Sequence, residues 1–167
     1  MIRSNASVLA KQITGITLPK LFHRCGEALK EEFEDAFDEL LQETAQYTGS
    51  TVASYRMGID GLGRGVEDTY VDLPDPGSAE AAFKRGDEPA INIARAANAG
   101  AIPPAEVAEA VLRKGRRLII TNGSPAWERV ESGEPPLRSV NEGSVDAMKR
   151  FEERIANKVI DVNLGDL

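Results

Sequence analysis

The chain has 167 residues, 27 acidic against 20 basic side chains for a net charge of −7, and 41% hydrophobic content of which little is aromatic. One domain with a modest aliphatic core fits that length, and the negative balance argues against a broad basic grip on nucleic acid, which needs clustered Lys and Arg. A single cysteine, Cys25, excludes an internal disulfide framework, and the lack of a long apolar run or a secretion-type leader predicts a soluble intracellular product with no membrane contact.

In chain order, residues 1–19 are read as an N-terminal arm ending at Pro19, and residues 20–167 as one domain. From Leu21 to Tyr47 the spacing predicts a long helix. Phe22, Cys25, Leu29, Phe33, Phe37, Leu40 and Leu41 recur at steps of three and four and make one apolar stripe. Glu31, Glu34, Asp35 and Asp38 lie on the opposite, acidic face. Gly49 is expected to stop this helix. Such a helix would reach about 40 Å, which is long for so small a domain. Part of the stripe is therefore expected to pack on a neighbouring subunit, through Phe22, Leu29, Phe33, Phe37 and Leu40.

Thr51 to Ile59 then reads as a strand, followed by a glycine-rich loop with a short strand candidate at Thr69–Leu73. Helices are expected from Ser78, from Pro89 to Asn98, and from Pro104 to Lys114, the last stopped by Gly115. Arg116–Thr121 is a second strand, which Asn122-Gly123 turns with φ > 0 before Pro125 presets the next residue. Val145, Met148, Phe151, Ile155, Val159 and Val162 mark a C-terminal amphipathic helix from Ser144 to Val162. The fold class expected is α+β: a short antiparallel sheet packed by the long N-terminal helix and the C-terminal helix.

Catalytic chemistry finds little footing in these residues. His23 stands alone, no Gly-x-Ser-x-Gly elbow is present, and Cys25 falls on the apolar stripe as a small hydrophobe. The acidic run lacks the Asp-x-Asp-x-Asp-Gly spacing of an oxygen-ligand loop. Gly61-Leu62-Gly63-Arg64-Gly65 lacks the ending of a phosphate loop. The cations Arg113, Lys114, Arg116 and Arg117 sit where a helix C-terminus favours positive charge. Trp127 is either a core residue or an interface anchor. No enzyme activity, cofactor or metal is expected.

Two short motifs carry a resemblance. Asn122-x-x-Pro125, followed by Glu131-x-Gly133, and the Thr48-Gly49 that ends the long helix resemble a signature of the tail-completion proteins of tailed-bacteriophage necks related to the lambda minor tail protein Z. The order of parts agrees over roughly residues 20–160. Ala126-Trp127 stands where that family usually has Tyr-Ala. The resemblance implies a structural virion protein of the neck, located in the virion and in host cytoplasm during assembly. It implies a ring of its own copies, six-fold, that joins tail tube to head beside other neck and tail-tube proteins. DNA would pass through its channel without sequence-specific binding. A head-side adaptor or stopper, or a non-virion assembly factor, is the alternative implication.

Overall fold

Helix α1, Leu18–Glu43, begins four residues before Phe22, the first residue of the apolar stripe, and ends six residues before Gly49. Thr44 is the reason. Its hydroxyl donates to the Leu40 carbonyl at 2.6 Å while its own N–H takes the same acceptor at 3.0 Å, a side-chain bond that competes with the next helical turn. The computed structural model describes residues 15, 18–44, 46, 48–62, 69–75, 86–126, 149–150 and 152–154. α1 therefore starts inside the stretch expected as an arm and stops short of Tyr47.

A four-residue helix, α2 (Ser50–Ala53), stands where the sequence suggested the start of a strand, and β1 follows only at Tyr55–Ile59. The β-branched Thr51 and Val52 are overridden locally: Val52 and Ala53 are buried. β2, Leu118–Asn122, pairs antiparallel with β1 from Tyr55↔Asn122 to Ile59↔Leu118. Thr69–Leu73 is not a strand; it runs as an irregular connection.

Helix α3, Glu88–Asn98, matches the expected helix almost to the residue, with Pro89 in its first turn. The expected Pro104–Lys114 helix is split. A single α-helical turn, α4 (Pro104–Glu106), runs into a π-helical segment, Val107–Arg113. The segment closes on a glycine cap, where Arg116 N–H reaches back six residues to the Ala110 carbonyl. Gly115, at φ 66°, ends it as expected.

The layers meet on the stripe of α1. Phe33, Phe37, Leu40 and Leu41 pack with Tyr55, Met57 and Ile59 from β1, Ile91 and Ala94 from α3, and Val107 and Ala110 from the π-helical segment. Phe37 and Tyr55 meet edge to face with centroids 6.5 Å apart. Farther up, Gly26 lets α1 approach α4: a Cβ there would lie 2.6 Å from the Pro104 carbonyl oxygen. The mixed α+β class is as the sequence suggested.

That arrangement corrects the expected subunit face. Phe33, Phe37 and Leu40 retain only 2%, 3% and 3% of their exposure, so they belong to the chain's own core and cannot serve as a contact for a neighbour. The stripe did not need a second subunit, because α3 and the π-helical segment cover what two strands leave open. Leu29 is partly buried against the same cluster. Phe22, at the N-terminal end, lines a groove of about 340 Å³ with Leu18, Ala105 and Ala108.

The far face of α1 is not simply solvated either. Residues 149–150 and 152–154 are helical, and they lay Arg150 on Glu39 at 3.4 Å and Arg154 on Glu39 at 2.6 Å and Glu32 at 3.3 Å. The Glu39 carboxylate raises the Arg154 pKa. Across the other flank, Arg95 of α3 clasps Asp38 through two bonds of 2.8 and 2.7 Å. Most of the expected C-terminal helix, the expected helix from Ser78, and Trp127, Glu131 and Gly133 lie outside the described residues.

Candidate interaction site

Two motifs separated by more than seventy residues converge on α2. Thr48 begins the junction as a side-chain turn: its Oγ1 accepts the Ser50 N–H at 3.1 Å and donates to Ser50 Oγ at 2.8 Å. Gly49 then takes φ 85°, a conformation that side chains resist. A Cβ there would also meet the Ala90 Cβ at 2.8 Å. Gly49 is thus the hinge into α2, not the stop of α1.

From the other side comes the end of β2. Asn122 Nδ2 donates to the Thr51 carbonyl at 2.8 Å, and its Oδ1 accepts the Ser124 N–H at 2.9 Å. Ser124 is buried, with its hydroxyl 3.1 Å from Thr51 Oγ1 and accepting the Ala126 N–H at 3.3 Å. These are two consecutive side-chain turns. Gly123 is not among the described glycines with positive φ, which are Gly49, Gly61, Gly86, Gly100 and Gly115. The expected Asn-Gly turn with φ > 0 is therefore absent. The asparagine side chain, not glycine's freedom, redirects the chain before Pro125.

α2 has a second working face. Ser50 and Ser54 lie one turn apart, and their hydroxyls accept the N–H groups of Leu73 and Val71, each at 2.9 Å. Ser54 Oγ also donates to the Ser50 carbonyl at 2.6 Å. One short helix thereby anchors the connection at residues 69–75 on one side and the exit of β2 on another.

The free edge of β1 is closed by a residue the sequence reading passed over. Asn98, at the end of α3, accepts the Met57 N–H at 2.8 Å and donates to the carbonyls of Tyr55 at 2.9 Å and Ala94 at 2.7 Å. Its amide replaces the peptide group of a missing third strand. This bond pair occupies the edge of β1 at Tyr55 and Met57. An Asn just before Ala99-Gly100 reads in sequence as a helix end, which hides its reach across to the sheet.

Other polar groups are placed as follows. The Arg56 guanidinium donates to the Ala53 and Tyr55 carbonyls, and burial lowers its pKa. Gln46 is 3% exposed, and neither polar atom of its amide has a hydrogen-bond partner. His23 lies 3.6 Å from Glu27 on an exposed flank, and Cys25 is half-buried. Arg113 and Lys114 both reach Glu109, at 2.8 and 3.1 Å; the Lys114 bond, then the charges of both cations, hold the Glu109 carboxyl below its ordinary range. Among the described residues no three His, Cys, Asp or Glu side chains form a group that could hold a metal ion, and no helix is long and apolar enough to cross a membrane.

Thr48-Gly49 and Asn122, from the motifs singled out in the sequence, thus flank one short helix, α2, with Pro125 three residues beyond Asn122, while of the expected interface residues Phe33, Phe37 and Leu40 lie in the core. Comparison with known proteins finds no matching family model, no matching curated protein and no matching solved structure.

Proposed function

We propose that this chain is a structural subunit of the bacteriophage neck, a tail-completion or tail-terminator protein that forms a ring between tail tube and head and leaves a channel for DNA. One observation carries the reading. The two sequence matches to that family flank α2: Thr48-Gly49 leads into it through the Thr48–Ser50 bonds, and Asn122 and Ser124 bond to Thr51 within it. Residues that hold one junction together are residues a shared fold would need at those spacings.

The ionisable groups support a structural role over a catalytic one. The carboxylates of α1 serve as partners for cations on neighbouring elements, as in Asp38 with Arg95 and Glu39 with Arg154. The net charge of −7 suits a conduit that DNA crosses without being held.

Deletion from a phage that encodes the chain tests the proposal. The expected product is filled heads and separate tails that fail to join, with infectivity restored when the purified protein is added to the lysate. Normal infectious particles in the deletion strain would reject the neck role.

A further inference from the structure

We draw no further inference here: the strongest candidate, the apolar groove at the N-terminal end of α1 lined by Leu18, Pro19, Phe22, Ala105 and Ala108, carries none, because nothing among the described residues shows what covers it.

Discussion

Asn122 Nδ2 lies 2.8 Å from the Thr51 carbonyl oxygen, and that bond joins the end of β2 to a helix seventy-one residues earlier. The same side chain accepts the Ser124 N–H through its other atom. Asn122→Asp separates the two roles, since a carboxylate keeps the acceptor and loses the donor. A charged oxygen facing a carbonyl should cost about 1–3 kcal/mol, read from the urea midpoint at neutral pH. Recovery of part of that loss in acid, where the carboxyl regains a proton to donate, is expected for this variant alone.

Gly49 and Gly123 should respond in opposite ways. Gly49 has φ 85° and a Cβ path 2.8 Å from Ala90, so Gly49→Ala should cost more than about 2 kcal/mol, strain and overlap together. Ala90→Gly in the same chain should return the overlap part and leave the strain. Gly123 has no positive φ, and Gly123→Ala should change stability by less than about 1 kcal/mol. Equal losses at the two glycines would mean that the exit of β2 needs the glycine after all.

A glycine inside a helix usually weakens it by about 1 kcal/mol relative to alanine. Gly26→Ala should nevertheless destabilise, because the added methyl would sit 2.6 Å from the Pro104 carbonyl oxygen. The net loss expected is about 1–3 kcal/mol, visible as a lower Tm. A stabilised variant would show that α1 and α4 do not touch there.

Asn98→Leu should be among the most damaging single changes, at about 3 kcal/mol or more. It strips the buried Met57 N–H and Tyr55 carbonyl of their partners at about 1–3 kcal/mol each. Gln46→Met should move stability the other way, by about 1 kcal/mol, because the buried amide it removes has no partner to lose.

Glu109 supplies a pH dependence with a defined sign. Its folded pKa is lowered by Lys114 and Arg113, so the stability it contributes is present above the ordinary carboxylate pKa and fades as pH falls through the lowered folded value. The group is partly exposed, and screening by salt should shrink the effect. A carboxyl titration followed by NMR should find Glu109 below a typical exposed glutamate, and Lys114→Ala should move it up.

Much of the fold was legible because local chemistry and burial agreed. The α1 stripe, α3 behind Pro89, and the Gly115 stop all follow from spacing and turn residues. What was misread lay where tertiary contacts outweigh local preference. Thr51-Val52 has strand composition, yet the Thr48 side-chain turn and the burial of Val52 make it helical. The stripe's length suggested a missing neighbour, since the sequence does not reveal that α3 and the π-helical segment already cover Phe33 to Leu40. Asn98 was invisible as an edge cap because its partners lie forty residues away, and the junction at α2 was legible only as two separate motifs.

Electron cryomicroscopy of the assembled particle tests the central proposal most directly. The expected result is a closed ring of this chain at the head–tail joint, with Phe33, Phe37 and Leu40 inside each subunit. A particle whose neck contains no copy of this chain would contradict it.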